Sequence, residues 1–250
     1  MKVIKYTKSK NNTYKILLDN DKELIYYEDV ILQTNLLQKR KITEEDIQEM
    51  NKINLEYDVY YVALKSLKTR FKSIYEMKLF LLKKEYPEEL ITKAIDKLIK
   101  QGYLNDKMYA KSYLNEQLLT TSNGPYKIKR LLEDKKISEE IIKEVLEQFS
   151  EEEQITKIAK LIEKKLKANH NKGGIVLKQK IAMDLKNLGY DISLINNGLS
   201  KIDFSQDQEI AKKEYEKLYR KYKKKYQGEE LERIIKSKLY QKGLKIEEMS

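Results

Sequence analysis

Basic side chains are the residues of this chain that could act on a partner, because they recur in short clusters along the sequence. Three clusters comprise Arg70 and Lys72; Lys127, Lys129 and Arg130; and Lys178 and Lys180. A fourth, denser cluster contains Arg220, Lys221, Lys223, Lys224 and Lys225. Ammonium and guanidinium groups bind phosphates and carboxylates, so these clusters predict contacts with DNA or with an acidic protein surface. For any single lysine, a solvated position between glutamate neighbours is an equally good interpretation.

Residue types that perform catalysis are scarce. His170 is the only histidine, and it lies in a polar loop without a patterned acid or nucleophile beside it. Gly173-Gly174 does not match the spacing of a phosphate-binding loop, and cysteine is absent. The sequence therefore predicts no catalytic residue, no metal site and no cofactor. A hydrolase is a further alternative, and it would require catalytic turnover that survives replacement of the Arg70 and Arg130 clusters.

Overall charge and hydropathy restrict the class of protein. Lysine and arginine number 51 against 40 aspartate and glutamate residues, a formal net charge of +11. Such a surface attracts polyanions. The absence of cysteine, of a long apolar run and of a signal peptide predicts a cytoplasmic protein with no membrane association.

A sequence pattern typical of an amphipathic helix recurs along the chain, and the helices it predicts must position these clusters. Its inner leucines are Leu81, Leu132, Leu185 and Leu239, at spacings of 51, 53 and 54 residues. A period of this length indicates modules that bury a face against the next module. The fold class predicted is mainly α: an elongated array of tandem three-helix repeats, three full and a truncated fourth, after a small N-terminal β-meander.

The predicted boundaries follow from the change of hydrophobic period. Alternating β-branched and aromatic runs, separated by Asn11-Asn12 and Asn20-Asp21, indicate three short strands before the helices begin. The resulting division is 1–52 for the β-meander and short helices, 53–103, 104–149 and 150–203 for the three full repeats, and 204–250 for the truncated one.

Tyrosines alternate with the lysines of the fourth cluster. Tyr219, Tyr222 and Tyr226 could stack on unpaired bases. Their spacing also places them on one helical face with Tyr215 and Leu218, which favours packing against a neighbouring helix. The basic residues on the other face would then remain free for phosphate.

Three short motifs carry a resemblance to a known family. They are Arg70–Glu76, Leu104–Asp106 followed by Tyr109-Ala110, and Asn123–Ile128. Their order and spacing resemble the RecX family of recombinase regulators over nearly the whole chain. The resemblance implies a non-enzymatic monomer that binds the RecA recombinase and lies along the groove of the RecA filament on single-stranded DNA. It further implies restraint of filament extension, ATP hydrolysis and strand exchange in homologous recombination, DNA repair and the SOS response.

A second function fits the basic charge without a recombinase. A basic helical-repeat protein could bind single-stranded or double-stranded DNA on its own, and its affinity would then fall steeply with salt.

Overall fold

The computed structural model describes residues 1–9, 12–39, 41–168, 174–202 and 208–244. These residues are mostly helical and carry a three-stranded antiparallel sheet at the N-terminus, which confirms the mainly α class with a β-meander leader. The chain divides into two compact units, Met1–Tyr109 with Lys135–Ile137, and Ala110–Asp134 with Ser138–Ser250. No helix in the described ranges is both long and apolar enough to cross a bilayer.

The sheet of the first unit is an antiparallel meander. Its strands are β1 (Val3–Lys8), β2 (Thr13–Leu18) and β3 (Glu23–Tyr27), with β2 in the centre. Asn12 and Asp21 have φ values of 60° and 59°, so the turn residues adopt the left-handed conformation that their types tolerate. The strand prediction is confirmed.

The sheet is covered by helix α1 (Glu28–Gln33), a 3-10 turn (Leu36–Gln38) and helix α2 (Glu44–Leu67). Thr43 begins α2 through a capping box with Asp46. The side chain of Thr43 accepts from the Asp46 N–H while the Asp46 carboxylate accepts from the Thr43 N–H. The predicted boundary between residues 52 and 53 falls inside α2, so a division there cuts a continuous helix.

Helix α2 packs with α3 (Ile74–Leu82) and α4 (Glu88–Lys100) around the second core of this unit. Apolar residues at helical spacing on α4 face this core, namely Ile91, Ala94, Ile95 and Leu98. Helix α5 (Asp106–Thr120) begins after Asn105, whose side chain accepts from the N–H of Met108.

The second unit continues the same order of helices. It contains α6 (Pro125–Glu133), α7 (Glu139–Leu146), α8 (Glu151–Ala168), α9 (Gly174–Asn187), α10 (Ile192–Ser200), α11 (Gln208–Tyr222) and α12 (Gly228–Gln241). Ser138 accepts from the N–H of Ile141 at the start of α7, as its residue type predicts. His170, Gly173 and residues 245–250 lie outside the described residues.

The second helix of each repeat ends in the same way. The buried leucines of the sequence period, Leu81, Leu132, Leu185 and Leu239, are at most 2% exposed. Four residues after each leucine the chain adopts positive φ, at Glu85, Lys136, Gly189 and Gly243. In the last two repeats the next N–H, of Tyr190 or Leu244, donates to the carbonyl of Leu185 or Leu239, which is the Schellman closure. The period therefore specifies a chain reversal as well as a buried face.

These reversals bond to the start of the second helix in the preceding repeat. In the first unit, the Ser73 hydroxyl before α3 donates to the carbonyl of Lys135 at 3.2 Å. In the second unit, the Gly124 N–H before α6 donates to the carbonyl of Leu188 at 2.7 Å, and the Tyr126 N–H donates to the carbonyl of Gly189 at 3.0 Å. Residues 135 and 188 occupy equivalent positions in the repeat. We call each set of contacts a repeat joint.

The second repeat joint leaves no room for a side chain. A Cβ on Gly189 would lie 2.4 Å from the backbone nitrogen of Lys127, and one on Gly124 would lie 2.6 Å from the carbonyl oxygen of Gly189. Both glycines are therefore required by close backbone approach as well as by conformation.

A charged network supports the first repeat joint. The Glu76 carboxylate accepts from the Lys135 ammonium at 2.7 Å, from the Arg70 guanidinium at 3.3 Å and from the Ser73 N–H at 3.2 Å. Burial alone would raise the pKa of Glu76, but the bonds from Lys135 and Ser73 outweigh it and hold the pKa below its ordinary value. The ionised carboxylate is therefore the stable form.

Gly189→Ala is expected to lower the free energy of unfolding by roughly 2–4 kcal/mol, because the methyl group adds a backbone clash to the cost of positive φ. Gly102→Ala is the matched control, since Gly102 has φ +76° and nothing within 4 Å of its would-be Cβ. That control should lose only about 1 kcal/mol. Equal losses in urea titrations of the two variants would contradict the close approach.

Glu76→Gln is expected to cost about 1–2 kcal/mol at pH 7, because it removes the acceptor charge from a mostly buried network. A depressed folded-state pKa stabilises above the unfolded pKa of about 4.3, and this contribution is lost as the pH falls through the folded value. The difference in melting temperature from wild type should therefore shrink towards pH 3. The exposed Glu49→Gln variant should show no such difference at either pH.

Candidate functional site

Lys72, one of the predicted binding residues, is engaged within the first unit. Its ammonium donates to the carbonyl of Ser66 near the end of α2 at 3.0 Å and lies 5.3 Å from the centre of the Phe80 ring. Burial, and then the neighbouring Arg70, lower the pKa of Lys72 below its ordinary value. Lys72 therefore acts as a capping residue for α2.

Arg70 has both a structural contact and an accessible surface. Its side chain is 68% exposed and pairs with Glu76, which Lys135 also holds. An exposed pair of this kind contributes little stability. The guanidinium can therefore exchange Glu76 for an external anion at small cost.

The cluster on α6 divides into residues with different surroundings. Lys129 pairs with Glu133 at 3.7 Å and with Glu139 at 3.4 Å. Arg130 is exposed, and its guanidinium has no ion-pair partner among the described residues. Lys127 is half-buried beside the second repeat joint. Arg130 is the member of this cluster that is best placed to bind an external anion.

The basic clusters do not all occupy the same position within their repeats. Lys127 and Lys180 are equivalent, because each lies five residues before the buried leucine of its repeat. The same position in the first repeat is Glu76. Arg70 and Lys72 instead lie in the connection between α2 and α3. The first and second clusters each lie near the start of a second helix, but their positions relative to the buried leucine differ.

Lys178 and Lys180 lie in α9 and are exposed. They are the third-repeat members of the predicted set, and Lys180 alone matches a basic residue of the second repeat by register. The structure thus brings Lys127 and Lys180 to one structural position and leaves the other candidates at different ones.

The fourth cluster lies at the end of α11 and in the turn that follows. Arg220 pairs with Glu216 at 3.5 Å, whereas Lys221, Lys223, Lys224 and Lys225 are exposed and have no ion pair within the described part of the chain. Cations are stabilised at a helix C-terminus by its unpaired carbonyls. This turn is the densest accessible positive charge of the described second unit.

The tyrosines of this helix mainly support its packing, as one of the two interpretations predicted. Tyr215, Tyr222 and Tyr226 pack against the core formed by α11 and α12. Tyr219 is 41% exposed and stacks on Tyr215 with ring centres 6.2 Å apart. Only Tyr219 retains a substantially accessible ring.

Two groups escaped sequence reasoning. Glu214 is 6% exposed and pairs with Lys242, a contact that its position in a lysine-rich helix does not indicate. Tyr27 and Tyr61 stack at the surface of the first unit, next to Lys65 and Lys68. The Tyr26-Tyr27 and Tyr60-Tyr61 pairs were a visible signal, but their proximity depends on how β3 meets α2.

Groups suited to catalysis do not converge. Within the described ranges, no three side chains of histidine, aspartate or glutamate are placed to hold a metal ion. The arrangement provides accessible cations and aromatic rings, which bind anions and flat rings.

Comparison with known proteins identifies the family. The sequence model described as RecX, second three-helix domain, matches residues 105–146. The regulatory protein RecX of Streptococcus sanguinis strain SK36 is 33% identical over 97% of this chain and 95% of its own length. The regulatory protein RecX of Streptococcus gordonii strain Challis is 32% identical over 100% of this chain and 97% of its own.

Solved structures agree in fold. A crystal structure of regulatory protein RecX superposes with a TM-score of 0.69 at 26% identity, covering 78% of this chain and 98% of that one. The crystal structure of RecX from Lactobacillus salivarius gives a TM-score of 0.56 at 26% identity, covering 60% and 97%. From the length and level of these sequence matches, the chain belongs to the RecX family.

Proposed function

We propose that this chain is a non-enzymatic regulator of the RecA recombinase. It binds along the groove of the RecA filament on single-stranded DNA and restrains filament extension, ATP hydrolysis and strand exchange. The setting is homologous recombination and DNA repair within the SOS response, in the cytoplasm. The protein acts as a monomer and uses no cofactor.

The repeat joint is the observation that carries this proposal. Equivalent carbonyls, at Lys135 and Leu188, each bond to the start of the second helix in the preceding repeat. A chain built from joined, similar modules suits a partner that is itself a repeated assembly. Once one module has bound the partner, each further contact between the two proteins is effectively intramolecular, so several weak contacts give high affinity.

The distribution of charge supports an anionic partner surface. Arg130 on α6 and the lysines after α11 are exposed and have no ion pair among the described residues. Binding an acidic groove or a phosphate backbone would therefore break no internal ion pair at these positions. Arg70 and Lys72 contribute less, because they already have partners within the first unit.

The first test is the single-stranded-DNA-dependent ATPase of the cognate RecA, titrated with this protein. Inhibition is expected well below one copy per recombinase, because blocking a growing filament end affects many subunits. An ATPase rate that is unchanged at equimolar protein would contradict the proposal.

Arg130→Glu is expected to raise the concentration for half-maximal inhibition by about tenfold, which corresponds to about 1.4 kcal/mol. Lys143→Glu is the matched control, since Lys143 is also exposed in the second repeat, lacks an ion pair among the described residues and undergoes the same change of charge. The control should shift by less than about twofold. Equal shifts would mean that net charge alone matters and that Arg130 is no specific contact.

Independent DNA binding is the second candidate function, and the exposed turn after α11 favours it. Replacing Lys221, Lys223, Lys224 and Lys225 with glutamate should then weaken binding to naked DNA and flatten its salt dependence. If that variant still inhibits the RecA ATPase fully, DNA binding is separate from recombinase regulation. If the wild-type protein binds naked DNA tightly without affecting the ATPase, the second function replaces the first.

A further inference from the structure

A groove in the first unit lies where the β-sheet meets the C-terminal half of α2. Its lining includes Asn12, Tyr27, Tyr61, Lys65 and Lys68, and its volume is about 490 Å³. Pockets that hold small organic ligands have volumes of about 300–1,000 Å³. The groove is therefore large enough for one nucleotide-sized group.

Two tyrosines form a rigid aromatic wall in this groove. The rings of Tyr27 and Tyr61 stack with centres 4.7 Å apart and planes inclined by 25°. The Tyr27 hydroxyl donates to Asp58 at 2.8 Å, and the Tyr61 hydroxyl donates to Asp29 at 2.5 Å. Stacking and hydrogen bonds already fix both rings. Binding a ligand against them would therefore cost little side-chain conformational entropy.

The tyrosine hydroxyls add no negative charge to the groove. Burial first, and then Asp29, raise the pKa of Tyr61 to about 12. Burial and Asp58 likewise raise the pKa of Tyr27 above its ordinary value. Both phenols therefore stay neutral throughout the physiological range.

The groove lining also contains two basic residues. Lys65 and Lys68 are exposed, and neither has an ion pair among the described residues. Lys65 lies in the final turn of α2 and Lys68 is its C-cap residue, still in the right-handed helical conformation. Their spacing of three residues therefore places them on one side of the helix end. Two unpaired ammonium groups beside a flat apolar wall are complementary to a group that combines an aromatic ring with phosphates.

We propose that this groove binds a nucleotide unit of single-stranded nucleic acid, with the base against the tyrosine wall and the phosphates at Lys65 and Lys68. Stacking on tyrosine tolerates any base, since every base has a π-face. The site is thus expected to hold a strand without sequence preference. This inference does not depend on the recombinase proposal, because it concerns nucleic acid alone.

The first test replaces both lysines in the full chain. The variant Lys65→Ala/Lys68→Ala should weaken binding of a short labelled oligodeoxythymidylate by about fivefold or more. It should also reduce the slope of log affinity against log salt by about 1.4, since each phosphate contact on a single strand contributes about 0.7. The ligand is added without any recombinase, so failure here is distinct from failure of filament regulation.

The matched control is Lys52→Ala/Lys100→Ala, which removes two exposed and unpaired lysines of the same unit away from the groove. It carries the same change of charge and should alter the dissociation constant by less than about twofold. An equal loss in both double variants would overturn the inference, as would no loss in either.

A local reporter tests the aromatic wall. The chain contains no tryptophan, so Tyr61→Trp introduces a single indole into the groove. Its emission should be quenched on adding the oligonucleotide, whereas Tyr103→Trp, at a position that is 54% exposed outside the groove, should change little. Unchanged emission of the folded Trp variant at saturating oligonucleotide would overturn the inference.

Thymidine monophosphate and an acidic peptide separate the possible ligands in the same assay. Tighter binding of the oligonucleotide than of the monophosphate is expected, because a strand supplies more than one phosphate. Quenching by the monophosphate alone would overturn the assignment to a strand, and quenching by polyglutamate alone would overturn the nucleotide chemistry. If Tyr61→Trp does not fold, the lysine variants decide the question, since their side chains are exposed.

Discussion

The positive-φ reversal after each second helix is the constraint on which the repeat architecture depends. A helix end without this reversal would leave its last carbonyls facing solvent or continue the chain in another direction. The reversal instead turns the carbonyls of Lys135 and Leu188 towards the helix start that precedes them in the chain. Lys136 and Gly189 occupy the left-handed position in these two cases. Lysine is tolerated at position 136 because the first repeat joint is made by the side chain of Ser73. Glycine is required at position 189 because the second repeat joint brings two backbones together.

This constraint sorts the charged residues into two kinds. Glu76, Lys135 and Lys72 lie close to the first joint and satisfy one another or the backbone, so their charges are part of the fold. Arg130 and the lysines after α11 are exposed and have no ion pair among the described residues, so their charges are available to a partner. Lysine and arginine content alone cannot separate these kinds, because the distinction depends on which carbonyl or carboxylate lies nearby.

The sequence was sufficient for the features that depend on local order. The leucine period predicted the buried positions, and Asn11-Asn12 and Asn20-Asp21 predicted the turns of the β-meander, because each signal depends on residue types within a short stretch of chain. It was insufficient for features that join distant residues. The pairing of Glu76 with Lys135 and the stacking of Tyr27 on Tyr61 each need the tertiary arrangement. The basic clusters also differ in register, because Arg70 and Lys72 lie 11 and 9 residues before Leu81, whereas Lys127 lies five residues before Leu132.

Helix α2 belongs to two cores at once. Ile47 and Met50 at its beginning are buried under the sheet, whereas Val59 and Ala63 near its end are buried with α3 and α4. Its 24 residues make a single rod of about 36 Å. Fraying of the sheet would leave the first half of this rod without packing, and a short helix is marginal in water on its own. The two cores therefore share one cooperative unfolding unit, and the small sheet gains a stability that its own three strands could not supply.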